Sequence, residues 1–339
     1  MALMKAVFLE APGRISLREV PVPEPGPGEL LVRVKAALTC GTDLKTYLRG
    51  HPLMPLPGPL GHEFSGVVAK RGRGLRRFPP GTEVMAVHTA PCRACQLCRQ
   101  GLYNLCPELP RTMALGAFAQ FILLPAHVVR ENVFVKPPHL GFQEAAFLEP
   151  LSCVLHGMRL VRPRRGQTAL VMGAGPIGLL HLLVLRGLGL RVALTALEPQ
   201  RLRLARRLGA EVVFTPGQEA RLWARYPQGL RYVFECTGQA RAWQKAPEYA
   251  QKGGTVVLFG GLGKGAKVQF LAETIHYHEL TLRGSFHFSP QDVREARRLL
   301  LEGRIDVRPL ISGRYGLQQT EHCLRRLKQG RGIKYVLEP

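Results

Sequence analysis

Residues 167–189, QTALVMGAGPIGLLHLLVLRGLG, constrain the fold of this chain more than any other stretch. A short apolar run ends in a glycine turn, and a helix-length apolar segment follows without interruption. In that setting each glycine has its own task. Gly173 permits the tight turn, Gly175 lets backbone approach a pyrophosphate, and Gly178 lets helix and strand pack closely. Pro176 and Ile177 complete the motif at the start of the helix. The segments RVALTALE, RLRLARRLGAEVVF and RYVFECTG continue to alternate short apolar runs with helical ones, the pattern of a parallel sheet built from βαβ units.

A dinucleotide site of this kind usually carries an acid at the end of the second strand to bind the ribose hydroxyls. Here that position is Ala196, with Glu198 two residues later. Without a carboxylate at 196 nothing repels a 2′-phosphate, and Arg201 or Arg203 can pair with one, so NAD and NADP both stay open. Glu198 has a plainer reading as the start of the next helix.

The first 150 residues differ in character. KAVFLE, ISLREV, ELLVRVKAAL and EFSGVVAK alternate or are β-branched, with punctuation such as PVPEPGPGE between them. Near the C-terminus SPQDVREARRLLLEG reads as an amphipathic helix with Ser289 as N-cap and Pro290 at its first position. The tail is therefore expected to return to the first domain.

Four of the eight cysteines, Cys92, Cys95, Cys98 and Cys106, fall in PCRACQLCRQGLYNLC. Their spacing suits four thiolates around one tetrahedral ion, most simply Zn²⁺, which would leave no coordination position for substrate and so would staple a loop. An iron–sulfur cluster uses similar ligands, and a disulfide pair is the remaining alternative. A second set mixes ligand types: Cys40 in TCGTDLKTY, His62 and Glu63 in GHEFSG, and Glu149 in FLEPLSC. Thiolate, imidazole and carboxylate together bind zinc and leave a fourth position open, as a Lewis-acid catalyst requires. Taken singly, His62 reads equally as a core histidine, Cys40 as a small buried hydrophobe and Glu149 as an acid at a helix N-terminus.

CGTDLK, GHEFSGVV, CRACQLCRQGLYNLC, EPLSCVLHG, GAGPIG and HELTLRGSF together resemble the zinc-containing medium-chain dehydrogenase/reductase superfamily, in the branch of sorbitol (L-iditol) and threonine dehydrogenases. The resemblance spans nearly the whole chain. It implies an α/β protein in which a β-rich GroES-like catalytic domain, residues 1–150 and 287–339, is interrupted by a Rossmann doubly wound parallel sheet, residues 151–286. The structural zinc lobe would occupy about residues 88–108. It implies a catalytic zinc at Cys40, His62 and Glu149, with Glu63 ligating or beside the metal, and a structural zinc on the cysteine quartet. It places Ser285 and Phe286 near the nicotinamide end of the cofactor. Thr42 is suited to accept the alcohol proton. Lys45 stands where relatives often carry the histidine that ends the proton relay, and Ala196 where many NAD-using relatives carry aspartate. Tyr47, Phe118, His287 and Phe288 are open between substrate contact and packing, and Cys153, Cys236 and Cys323 read as buried thiols.

The expected activity is reversible oxidation of a secondary alcohol or polyol to a ketone with NAD or NADP. A threonine 3-dehydrogenase-like activity is the enzyme alternative. The formal charge of +23 raises a reading from another class, a non-catalytic nucleotide-sensing or nucleic-acid-binding protein. Against it, the 36 arginines and 11 lysines are scattered, and the mixed ligand set has little use in a binding module. No membrane partner and a cytoplasmic location are expected, because MALMKAVFLEAPGR lacks signal-peptide order. The resemblance favours a homotetramer or homodimer.

Overall fold

The computed structural model describes residues 2–50 and 56–339. They divide into two units, Met1–Ser152 with Phe288–Pro339, and Cys153–His287.

The first unit is built on β-sheet. A seven-stranded sheet runs in the order Ile311–Tyr315, Lys334–Leu337, Leu30–Leu38, Glu63–Arg71, Glu83–Ala86 and Val133–Val135, and Phe121–Leu124 also pairs with Leu30–Leu38. A three-stranded sheet of Arg14–Pro21, Leu3–Ala11 and Gly58–Pro59 completes the β-structure. The Leu30–Leu38 strand is almost wholly buried, with only Arg33 and Lys35 exposed, which suits a largely apolar run in a sheet interior. Its core includes Val32, Phe64, Phe118, Ile122 and Tyr335. Helix Pro290–Leu301 begins as its sequence indicates: Ser289 is the N-cap, and Asp292 Oδ2 accepts the Ser289 N–H at 2.8 Å.

The second unit holds a six-stranded, all-parallel sheet. In spatial order its strands are Val212–Phe214, Arg191–Thr195, Thr168–Met172, Leu230–Glu235, Ala250–Leu258 and Thr281–Gly284. Numbered along the chain this is 3-2-1-4-5-6, the doubly wound arrangement whose ligand crevice opens where the direction of winding reverses, beyond the C-terminal end of Thr168–Met172. Among the described residues no helix is long and apolar enough to cross a membrane.

Candidate active site

In the first unit three strand ends bring distant residues together. Leu30–Leu38 and Glu63–Arg71 run antiparallel with Leu38 opposite Glu63, so the chain leaving one strand at Thr39 and Cys40 meets the chain entering the other at His62 and Glu63. Lys334–Leu337 pairs on the other side, Val336 opposite Leu38, and brings Lys334 to the same end. Gly61 has φ +90°, and a Cβ there would lie 2.4 Å from the Phe118 ring, so the chain before His62 is pressed against the core where only glycine fits. Cys40 is the N-cap of helix Gly41–Arg49. Its Sγ accepts the Thr42 N–H at 3.4 Å, while Asp43 Oδ2 accepts the Cys40 N–H at 2.8 Å.

The donor atoms of Cys40, His62 and Glu63 lie within 4.8 Å of one another. His62 Nδ1 faces Asp43 Oδ1 at 3.4 Å, and both side chains are buried. Burial opposes a charge on His62, but the Asp43 carboxylate and Cys40 outweigh it and hold the imidazole pKa well above its usual range. With Nδ1 turned to a carboxylate, Nε2 is left to ligate, the standard orientation of a zinc-bound histidine. Glu63 is fully buried; one carboxylate oxygen pairs with Lys334, and the other has no hydrogen-bond partner among the described residues. Lys334 Nζ also donates to the Thr39 carbonyl at 3.0 Å. Burial works against the ammonium, yet Glu63 and then Cys40 prevail and raise its pKa. A soft sulfur, an oriented imidazole and a half-satisfied buried carboxylate fit zinc, with one coordination position to spare.

Glu149, in the first turn of helix Leu148–Val161, is not in that triad. Its Oε1 lies 3.7 Å from His88 Nδ1, and the His88 ring meets His62 edge-on at 5.1 Å. Thr42 and Lys45 share helix Gly41–Arg49 with Asp43, and both are half-buried. Tyr47 and Phe118 belong to the core; the Tyr47 hydroxyl donates to Glu321 at 2.8 Å. Phe288 is buried, its ring 6.0 Å from that of His88.

The cysteine quartet forms its own cluster with all four thiols free, which leaves no disulfide among them. Cys92 and Cys98 Sγ are 4.0 Å apart and Cys95 and Cys106 Sγ 3.9 Å. Four sulfurs at zinc–thiolate bond length would sit about 3.8 Å from one another, so the spacing fits a closed tetrahedral site. Backbone N–H groups of Ala94 and Cys95 point at Cys92 Sγ and bring its pKa down to about 6, whereas burial pushes Cys98 up to about 12. A metal would therefore displace protons from the deeper thiols.

In the second unit a cavity of about 520 Å³ opens at the expected crevice, lined by Gly173, Gly175, Ala196, Glu198 and Arg201 among others. The three glycines behave distinctly. Gly173 has φ +104°, a Cβ on Gly175 would meet nothing within 4 Å, and one on Gly178 would lie 1.9 Å from the Gly173 carbonyl oxygen. Pro176 and Ile177 open helix Pro176–Gly187 with Gly175 as N-cap, so peptide N–H groups point toward the cavity. Glu198 is the N-cap residue of helix Pro199–Arg207, its carbonyl accepting the Leu202 N–H at 3.1 Å, but its side chain makes no cap hydrogen bond and lies 4.0 Å from the Arg201 guanidinium. Ser285 and Phe286 do not line this cavity. The Ser285 hydroxyl is buried with no hydrogen-bond partner among the described residues, and Phe286 is 61% exposed. Of the three remaining cysteines only Cys323 is fully buried; Cys153 and Cys236 are half-buried, and Cys236 lines the cavity.

Asp43, His88 and Lys334 are missing from the sequence-based set. Asp43 was the most findable, since an acid three residues after an N-cap is a capping signal. Lys334 lies 271 residues from Glu63 and gives no local sign.

Residues 26–133 match the family described as alcohol dehydrogenase GroES-like domain, and residues 176–302 the family described as zinc-binding dehydrogenase. A probable D-xylulose reductase A of Aspergillus clavatus is 30% identical, the alignment covering 97% of this chain and 95% of that protein. A sorbitol dehydrogenase of Halalkalibacterium halodurans is also 30% identical, with 96% of each covered. Among solved structures, a zinc-binding dehydrogenase from Sinorhizobium meliloti bound to NADP superposes with a TM-score of 0.91 at 34% identity over the full length of both chains. Neither the threonine dehydrogenase-like nor the non-catalytic alternative is favoured by these relatives. With its GroES-like and Rossmann halves and its zinc and NAD(P) chemistry, the chain belongs to the zinc-containing medium-chain dehydrogenase/reductase family, oxidoreductases acting on CH–OH groups.

Proposed function

We propose that this enzyme reversibly oxidises a secondary hydroxyl of a polyol to the ketone, with NAD(P)⁺. The observation that carries the reading is the Cys40, His62 and Glu63 cluster, with His62 oriented by Asp43 and Glu63 balanced by Lys334. When bound, zinc supplies a Lewis acid for the alcohol oxygen and NAD(P)⁺ supplies the hydride acceptor. Cys40 and His62 hold the metal, and Glu63 and Glu149 serve as its third ligand or as the carboxylate beside it. Thr42 takes the alcohol proton on its hydroxyl and gives up its own to water or the cofactor ribose, with Lys45 three residues on along the same helix, where relatives often carry the histidine that ends the relay. The cysteine quartet holds a second, structural zinc. In the other unit Gly173, Gly175 and Gly178 admit the pyrophosphate, and Ser285 and Phe286 border the nicotinamide. The relatives named as sorbitol dehydrogenase and xylulose reductase point to polyols as the substrate class. We further infer a cytoplasmic homodimer or homotetramer, which light scattering of the purified enzyme checks.

The test is reduced-nicotinamide absorbance with zinc-loaded enzyme, pairing each cofactor with sugar alcohols, diols, simple secondary alcohols and threonine. Turnover of sugar alcohols or diols is expected. A preference for threonine, or silence across the panel at full zinc loading, would overturn the polyol reading.

A further inference from the structure

The nucleotide cavity is asymmetric in charge at the end that reads the adenosine ribose. The chain leaves strand Arg191–Thr195 through Ala196 and Leu197, and Thr195 is fixed by its carbonyl accepting the Gly173 N–H at 2.7 Å. Ala196 is 7% exposed and offers only a methyl where a ribose-binding carboxylate would stand. The cavity lining supplies three cationic side chains, Arg201 from helix Pro199–Arg207 and Arg241 and Lys245 from helix Ala240–Lys245, and of these Lys245 also pairs with Glu248. It supplies two acids, and both are engaged. Glu219 Oε1 accepts the Gly217 N–H at 3.1 Å and the Tyr249 hydroxyl at 3.0 Å. Glu198 faces Arg201 across 4.0 Å, with 39% of its side chain exposed.

We propose that this end of the cavity is built for the 2′-phosphate of NADP(H), with Arg201 as its principal ligand, Arg241 and Lys245 as supporting cations, and Ala196 as the opening that admits it. The inference rests on the dehydrogenase reading above and deepens it by naming the cofactor. A dianionic phosphate accepts a planar guanidinium through two parallel hydrogen bonds, which Arg201 and Arg241 can each supply. It draws Arg201 away from Glu198, whose carboxylate is open enough to water to be rehydrated. An adenosine with a free 2′-hydroxyl finds no acceptor at Ala196.

Binding rather than turnover provides the test. Dissociation constants for NADPH and NADH are measured by isothermal titration calorimetry, with 2′,5′-ADP and 5′-AMP as probes of the adenosine end alone. The expected result is tighter binding of the phosphorylated member of each pair by about ten- to hundredfold, as for one or two charge-assisted hydrogen bonds. The difference should shrink as salt is raised. Arg201→Gln should bring NADPH down to the affinity of NADH, and Ala196→Asp should reverse the preference, with unchanged melting showing that each variant is folded. Equal or tighter binding of NADH by the natural enzyme overturns the proposal. So does a selective loss of NADH binding in Glu198→Gln, which would assign the ribose hydroxyls to Glu198. Tight NADPH binding without turnover of any alcohol would support this inference while the polyol reading fails; binding of neither dinucleotide would defeat both.

Discussion

The first unit carries two candidate zinc sites made in opposite ways. The cysteine quartet lies between residues 92 and 106, on a short helix and turns, where Cys98, Cys106 and Leu109 form a small buried cluster with Cys92, Cys95 and Tyr103 partly buried against it. The Cys40, His62 and Glu63 cluster is drawn from separated stretches of chain, and its neighbours Asp43 and Lys334 are both buried. One is a loop that a metal must hold; the other is a pocket that the sheet assembles first. A site that must do chemistry gains from the second design, because its ligands are positioned by partners that do not themselves touch the ion.

Replacing one ligand in each site breaks the comparison most sharply. Cys40→Ser should reduce turnover by about a thousandfold or more, consistent with several kcal/mol of lost barrier lowering, while calorimetric nucleotide binding and the melting profile stay close to normal. Cys98→Ser should instead cost one of two zinc equivalents in elemental analysis and open the lobe to proteolysis, with turnover retained. If Cys40→Ser remains active, the two sites have been given the wrong roles.

Lys334→Met probes the buried partner. It strands the Glu63 carboxylate and should destabilise the first unit by about 3–5 kcal/mol in urea denaturation. A cost below about 1 kcal/mol would mean that Glu63 simply takes up a proton when its partner is gone. Asp43→Asn comes next in size. It removes the carboxylate that orients His62 and should weaken catalytic zinc by about ten- to a hundredfold in chelator competition, leaving the lobe zinc untouched.

How far the sequence could be read follows the same division. The lobe was legible because its ligands are neighbours along the chain, and the glycine motif because its residues are. Cys40, His62 and Glu63 were found through short motifs, but their convergence depends on Leu38 standing opposite Glu63, a register that no local pattern reports. Lys334 was invisible because its role arises only when the last strand joins the sheet. His88 was overlooked because a lone histidine ahead of a cysteine motif carries no periodicity. Cys236 was taken for a buried thiol from its apolar strand, although it lies just past the strand end, where the cavity begins. The Rossmann half was readable almost strand by strand, since parallel buried strands appear as continuous apolar runs.

The smallest expected effect concerns the lobe alone. In metal-stripped enzyme Cys92 should be the first thiol alkylated, because its pKa of about 6 leaves it largely as thiolate at neutral pH. Its rate should rise as pH increases through about 6 and level off above, as read by mass spectrometry of iodoacetamide adducts. Modification of Cys98 before Cys92 would contradict the thiol order assigned to the lobe.

Lys334 follows the Rossmann unit along the chain, yet it neutralises the Glu63 carboxylate 271 residues before it. During synthesis the Rossmann unit, complete at residue 287, can fold while the segment that supplies Lys334 is still inside the ribosome. Until that segment emerges, Glu63 has no ammonium to meet, and the sheet lacks strand Lys334–Leu337. The order of synthesis thus delays the candidate metal pocket until a strand made after the Rossmann unit has joined the sheet. A chain lacking Lys334–Leu337 should leave the Glu63 carboxylate buried without its cation.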